Sequence, residues 1–136
     1  MCSAVAHSLD STTPLGAELA ALEERFGPLS TQDGAGGVVV VTIPNFTLPA
    51  GWSKPTTKVH FVVPVGYPHA QPDCFHTEQD LRLAGGGMPQ NTAMQDLMPL
   101  GTTLWFSWHL GRPWKPGRDT LITWAAVIGN RFASLT

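Results

Sequence analysis

The sequence predicts an α+β fold in the order helix, antiparallel β-meander of two or three strands, long ordered loop, helix. Three observations carry this prediction: apolar residues at helical spacing near each end, β-branched runs between them, and a proline- and glycine-rich stretch that keeps large aromatic residues. With 136 residues and 43% hydrophobic content, the chain is long enough for one packed core. We therefore expect one domain over residues 13–136, preceded by a flexible N-terminus at residues 1–12.

The first helix is predicted from a start signal and an apolar period. Thr13 is an N-cap residue type, and Pro14 suits the first helical position. Apolar side chains then recur at spacings of four, three and four, at Leu15, Leu19, Leu22 and Phe26. Gly27-Pro28 predicts the end of this amphipathic helix.

Two β-branched runs follow, at residues 38–43 and 57–64. The first run is apolar without alternation, which is typical of a strand covered on both faces. A short break with turn-forming residues separates the two runs, so we expect them to pair as an antiparallel meander.

The segment from residue 67 to residue 117 combines many prolines and glycines with several tryptophans. A flexible linker is poor in large aromatic residues, so this segment is predicted to be an ordered loop. Asp119 then provides a cap for a closing helix, whose apolar side chains are Leu121, Trp124, Ala125 and Ile128.

Charge, hydropathy and cysteine content exclude several function classes. A formal net charge of -2 and a pI near 6.2 argue against nucleic-acid binding, which favours a basic surface. No apolar run approaches the ~20 residues that a membrane-spanning helix needs, and no secretion signal is evident. The two cysteines, Cys2 and Cys74, do not form a disulfide framework. We therefore expect a cytoplasmic protein without nucleic-acid or membrane partners.

The order of motifs after residue 66 resembles that of the ubiquitin-conjugating-enzyme (UBC-like) superfamily. The chain has Tyr67-Pro68 followed by Pro72, a loop with Pro89-Gln90-Asn91, and Trp114-Lys115-Pro116 before a helix. Ser107-Trp108-His109 ahead of a Trp-x-Pro-Gly-x-Asp stretch is similar to the bacterial conjugating-enzyme-like family found in operons with ubiquitin-like proteins. The resemblance covers residues 13–130 and implies a UBC-like meander of three to four strands with a long active-site loop.

The departure from the family pattern concerns the nucleophile. The family's catalytic cysteine precedes the Trp-x-Pro tryptophan by about eight residues, and that place falls on Phe106 or Ser107. Ser107 is then the candidate acceptor, His109 its base, and the amide of Asn91 an oxyanion donor. Cys74 is the alternative acceptor, although its place after the Tyr-Pro turn predicts a thiol on the sheet, away from the usual catalytic groove.

Structural interpretations compete with these catalytic ones. Ser107 and His109 could form a hydrogen-bonded structural pair, and Cys74 could be a small buried hydrophobic residue. The pair Cys74-x-His76 invites a zinc hypothesis, but its spacing matches no known zinc motif. We therefore predict no metal site and no cofactor.

A local basic patch lies close to the candidate catalytic residues in the sequence. Arg112, Lys115 and Arg118, together with Trp114, are candidate binding residues for an acidic partner surface or the tail of a ubiquitin-like protein. The alternative is a solvated loop face, with Trp114 packed under the closing helix.

Two functions of different classes follow from the resemblance. The first is a transferase that accepts a ubiquitin-like protein C-terminus from a ubiquitin-activating-like enzyme. The second is a catalytically inactive variant that binds and positions either partner. A small hydrolase using Ser107 and His109 is disfavoured, because no acidic orienting residue stands near them in the sequence. The same resemblance implies a bacterial conjugation pathway, with phage defence as its setting.

Overall fold

The computed structural model describes residues 12–136 of the chain. The predicted flexible N-terminus covers residues 1–12. Residues 1–11, which include Cys2, lie outside the described residues. The elements, in chain order, are α1 (Pro14–Phe26), β1 (Ser30–Asp33), β2 (Val39–Thr47), β3 (Thr56–Val63), β4 (Phe75–Thr77), β5 (Thr92–Leu97), β6 (Gly101–Phe106) and α2 (Leu121–Ala133). A short 3-10 turn at Ala35–Gly37 separates β1 from β2.

Helix α1 begins and ends at the residues that its sequence signals predict. The Thr13 side chain accepts a hydrogen bond of 3.0 Å from Gly16 N, and Pro14 occupies the first helical position. Leu19 and Leu22 are buried against the sheet side of the molecule. Gly27 ends the helix at φ 84°, a left-handed conformation that glycine adopts without a steric penalty.

The six strands form one antiparallel sheet in the order β1-β2-β3-β4-β6-β5. The predicted meander is present as β2 and β3, with Val41 opposite Phe61 and Ile43 opposite Val59. These four side chains are fully buried on one face of the sheet, and Val40, which points to the other face, is 2% exposed. Burial on both faces explains the continuous apolar run in the sequence.

The strand count and the long loop of the prediction are wrong. The sheet has six strands instead of three or four, and β4, β5 and β6 all lie within the predicted loop at residues 67–117. Strands β1 and β5 are the two edges of the sheet, and their side chains are mostly exposed. An edge strand with polar side chains on both faces has no alternation of apolar and polar residues, so sequence patterns predict a loop there.

The core lies between the helices and one face of the sheet. Phe75 and Phe106 stack with ring centroids 4.7 Å apart, and Phe132 of α2 meets both rings edge-on. All three rings are fully buried. Offset stacking and edge contacts of this kind add to the free energy gained by burial, so α2 is fixed on the strands β4 and β6.

Helix α2 begins one residue later than predicted. Thr120 is the N-cap: its side chain accepts from Ile122 N at 3.2 Å, and its own N–H donates to Thr123 Oγ1 at 3.0 Å. Asp119 does not cap the helix, because its carboxylate is occupied by Arg112 and by Lys115 N. Within residues 12–136, neither helix is long and apolar enough to cross a membrane.

Candidate functional site

Strand pairing brings three distant segments to one end of the sheet. Phe75 lies opposite Phe106 in the β4–β6 pair, and Thr92 lies opposite Phe106 in the β5–β6 pair. The residues just outside these strands, at positions 74, 91 and 107, are therefore neighbours in space. Two backbone hydrogen bonds continue the ladders there, Cys74 N to Trp108 O at 3.0 Å and Ser107 N to Asn91 O at 2.8 Å.

A thiol, an imidazole and a carboxylate meet at this end of the sheet. Cys74 Sγ, a ring nitrogen of His109 and a carboxylate oxygen of Asp73 all lie within 4.8 Å of one another. His109 Nδ1 is in direct contact with Asp73 Oδ1. The side chains of His109 and Asp73 are 60% and 56% exposed, and Cys74 is half-buried. We call these three residues the thiol cluster.

The backbone of Cys74 is held in an unusual conformation. Its φ is 61°, in the left-handed region that costs a residue with a Cβ atom about 1–2 kcal/mol. The hydrogen bond to Trp108 O fixes this turn next to the residue that precedes His109. Cys74 and His109 therefore lie in one cluster. The predicted place of the thiol relative to the family's usual catalytic groove stays a prediction. Cys74 is also not part of the described hydrophobic core.

Ser107 lies next to the thiol cluster without a hydrogen bond to His109. Among residues 12–136, the ring of His109 contacts Asp73, and no hydrogen bond joins Ser107 Oγ to the imidazole. The backbone N–H of Ser107 donates to Asn91 O. Ser107 as acceptor, with His109 as its base, stays a prediction.

Asn91 occupies a position that its residue type explains. Its φ is 60°, and asparagine is among the residues that tolerate this left-handed conformation best. The side chain is exposed, and its backbone carbonyl ties strand β5 to Ser107. The predicted role of the amide as an oxyanion donor stays a prediction.

The predicted basic patch divides into one paired and two unpaired cations. Arg112 donates to both carboxylate oxygens of Asp119, at 2.8 Å and 2.7 Å. These hydrogen bonds hold the pKa of Asp119 at about 2. Lys115 and Arg118 are exposed, and no ion pair joins either side chain to an acidic residue in the described part of the chain.

Trp114 connects the two proline motifs. Its indole Nε1 donates to Pro68 O at 2.8 Å, and its ring lies 6.1 Å from that of Tyr67. The hydroxyl of Tyr67 donates to Glu18 Oε1, which also accepts from Leu121 N at 2.9 Å. The Tyr-Pro turn, the Trp-x-Pro turn and both helices therefore support one another, and burial with the Glu18 hydrogen bond raises the pKa of Tyr67.

His76 does not join Cys74 in a Cys-x-His pair. Its Nδ1 lies 2.8 Å from Thr103 Oγ1, and on the neighbouring strand His60 Nδ1 lies 2.7 Å from Thr42 Oγ1. Burial lowers the pKa of each histidine to about 4. His60 also lines an open cavity of about 600 Å³, whose other walls include Lys58, Arg82 and Met94.

A buried arginine supports the site from the side of α2. Arg131 is only 2% exposed, and its guanidinium lies 5.3 to 5.9 Å from the rings of Trp52, Phe106 and Trp108. It donates to Gln90 O and to Ser134 O, both at 3.0 Å. Arg131 thus holds the loop before Asn91 through Gln90 O, and it packs against the ring of Trp108. The backbone carbonyl of the same Trp108 accepts the hydrogen bond from Cys74 N.

Asp73 and Arg131 are the residues that the sequence interpretation missed. Asp73 is separated from His109 by 36 positions in the chain, so spacing alone gives no sign of their contact. Arg131 lies on the apolar face of α2. A charged residue at such a position is the one sequence signal that could have indicated a buried, functional arginine.

Within residues 12–136, two helices and a six-stranded antiparallel sheet are consistent with an E2-like α+β fold. The family comparison makes this assignment specific. The family model described as Prokaryotic E2 family E matches residues 26–134, so the chain belongs to that bacterial E2-like family. The resemblance drawn from the motif order is thereby confirmed. No curated protein and no solved structure matches the chain.

Proposed function

We propose that this protein accepts the C-terminus of a ubiquitin-like protein from an activating enzyme, as a thioester on Cys74, and transfers it to an amine. The observation that carries the proposal is the thiol cluster, in which Cys74 Sγ lies within 4.8 Å of a His109 ring nitrogen. Membership of an E2-like family supports the reaction class. Cys74 replaces Ser107 as the preferred acceptor because sulfur is the stronger nucleophile and has the imidazole as its neighbour.

In the proposed reaction, His109 takes the proton of the Cys74 thiol while sulfur attacks the carbonyl carbon of the incoming thioester. A new carbon–sulfur bond forms, the old one breaks, and the thiolate of the activating enzyme leaves with the proton from His109. Asp73 contacts Nδ1 of His109 and would orient the ring, as carboxylates do in thiol and serine enzymes. Transfer to a target follows when an amine attacks the carbonyl carbon of the Cys74 thioester: an amide bond forms, the carbon–sulfur bond breaks, and the sulfur of Cys74 leaves and regains a proton from the amine through His109.

Exposure of the site supports a large acyl donor. The imidazole and the carboxylate are more than half exposed, so a protein tail can reach the sulfur without opening the core. Of the predicted basic patch, Lys115 and Arg118 are exposed, form no ion pair in the described part of the chain, and could meet an acidic partner. The exposed amide of Asn91 remains our candidate donor to the tetrahedral oxyanion.

The deciding experiment combines the chain with ATP, a cognate activating enzyme and its ubiquitin-like protein. A Cys2→Ser background leaves Cys74 as the sole thiol, and products are separated with and without thiol reductant. We expect an adduct that reductant removes and that Cys74→Ala abolishes. Ser107→Ala is the matched control and should keep the adduct.

Two other outcomes would contradict this assignment. An adduct that survives reductant and disappears in Ser107→Ala would place an oxyester on the serine. Retained binding of the partners without any adduct would support the alternative function, a noncatalytic E2-like module that positions a ubiquitin-like protein or its activating enzyme.

A further inference from the structure

The thiol cluster also has the composition and spacing of a metal site. One thiol, one imidazole and one carboxylate offer three donor atoms that all lie within 4.8 Å of one another. In a tetrahedral zinc site the bonds are about 2.0–2.3 Å long, which separates neighbouring donors by roughly 3.3–3.8 Å. The 4.8 Å limit exceeds this range by about 1 Å, so small side-chain rotations would bring the three donors around one ion, with the contact between His109 Nδ1 and Asp73 Oδ1 opening to admit it.

The surroundings permit that movement. His109 and Asp73 are exposed by 60% and 56%, so both side chains can rotate without disturbing the core. Cys74 is fixed by its backbone hydrogen bond to Trp108 O, which gives the site one rigid donor. The donors come from two segments that strand pairing holds together, the residues just before β4 and those just after β6.

The donor set selects the kind of ion. Thiolate and imidazole are ligands of zinc and other late transition metals, whereas magnesium and calcium take oxygen ligands. One thiolate and one carboxylate together neutralise the charge of a divalent ion. Three protein ligands leave the fourth tetrahedral position to water, as in sites that are open to solvent.

We propose that Asp73, Cys74 and His109 form a binding site for one zinc ion, with water as the fourth ligand. On binding, the Cys74 thiol releases its proton to solvent and a sulfur–zinc bond forms; no oxidation takes place. The set differs from the Cys74-x-His76 pair of the sequence hypothesis, because His76 is engaged with Thr103.

The site implies a means of control, and this part of the inference rests on the proposed function. Zinc and the acyl group bind the same sulfur atom of Cys74, and coordination to zinc makes this sulfur a weaker nucleophile, so the two compete. Zinc at concentrations above its dissociation constant should then block adduct formation, and a chelator should restore it.

The test of metal binding uses no activity. Tag-free protein in the Cys2→Ser background is titrated with Co²⁺, and thiolate-to-cobalt absorption is recorded; Zn²⁺ affinity follows from competition with a chromophoric chelator. We expect one ion per chain, loss of the absorption in Cys74→Ser, and at least tenfold weaker zinc binding in His109→Ala and Asp73→Asn. His69→Ala, which removes an exposed histidine outside the cluster, should bind as the parent does.

Equal zinc affinity in the parent, His109→Ala and Asp73→Asn would overturn the proposal, since the thiol alone would then hold the ion. Absence of zinc binding at micromolar metal would also overturn it. Circular dichroism of each variant shows whether it is folded. Zinc binding without any acyl adduct would support the metal site and contradict the proposed transferase. An acyl adduct without zinc binding would support the transferase and contradict the metal site.

Discussion

At the scale of single residues, the contact between Asp73 and His109 has the largest consequence for function. It supplies the acidic orienting group whose apparent absence disfavoured a small hydrolase with Ser107 and His109 in the sequence interpretation. The same contact places the ring beside Cys74. The choice between sulfur and the Ser107 hydroxyl can therefore be tested by reactivity before any partner is known.

We expect iodoacetamide to alkylate Cys74 about tenfold more slowly in His109→Ala than in the parent, both in the Cys2→Ser background. The reason is that the imidazole beside Cys74 can accept the thiol proton as sulfur attacks the reagent. Mass spectrometry of the alkylated chain over time gives the rate. Asp73→Asn should show a smaller decrease, and His69→Ala none; equal rates in all four proteins would remove His109 from the proposed role.

Arg131 is the residue through which the core supports the site. A guanidinium has a planar set of donors that reaches two carbonyl groups at once, and lysine cannot reproduce this set. We expect Arg131→Lys to lower the free energy of unfolding by about 2 kcal/mol, because one buried carbonyl group loses its donor and a buried charge remains. Urea unfolding measures this change. A change within 0.5 kcal/mol, roughly the size of a surface substitution, would show that the aromatic contacts do not depend on arginine.

At the scale of elements, strands β3 and β4 carry two buried neutral histidines opposite one another, His60 and His76. Each pKa is lowered to about 4 by burial, from an ordinary value of 6.5. The unfolded chain therefore binds more protons than the folded chain between pH 6.5 and pH 4. This pair makes the sheet sensitive to acid.

We expect the free energy of unfolding to fall as the pH decreases from about 6.5 to about 4, by up to about 1.4 kcal/mol per pH unit for each histidine. Urea titrations at several pH values measure the slope. His76→Gln should reduce the slope by about half, because one of the two groups no longer titrates. A slope that is the same in the parent and in His76→Gln would contradict this account.

At the scale of the whole molecule, the predicted basic patch lies after β6, in the turns that lead to α2. Arg112 is engaged with Asp119, so the predicted binding patch reduces to Lys115 and Arg118. Charges of this kind affect association with a partner more than they affect stability.

We expect the double variant Lys115→Glu with Arg118→Glu to bind its activating enzyme or ubiquitin-like protein at least fivefold more weakly at low salt, with a smaller difference at high salt. Surface plasmon resonance at two salt concentrations gives both values. Lys58→Glu is the control, since Lys58 lies in the cavity on the sheet, away from these turns. Equal weakening by Lys58→Glu would show an effect of net charge alone.

Sequence patterns predicted the elements that bury several apolar side chains close together in the chain. Helix α1 with its Thr13 cap and the paired strands β2 and β3 follow from short-range signals. The edge strands β1 and β5 could not be predicted in the same way, because their exposed polar side chains carry no period. Strand β4 is only three residues long, too short for a pattern to indicate.

The sequence by itself determined the family, through the order of its Tyr-Pro, Ser-x-His and Trp-x-Pro motifs, together with both helices and the central strands. Only the tertiary structure decided which side chains form the site. Pairing of β4 with β6 places Asp73 and Cys74 beside His109. That register depends on the packing of Phe75, Phe106 and Phe132 in the core. A contact fixed by packing between residues far apart in the chain has no local signature.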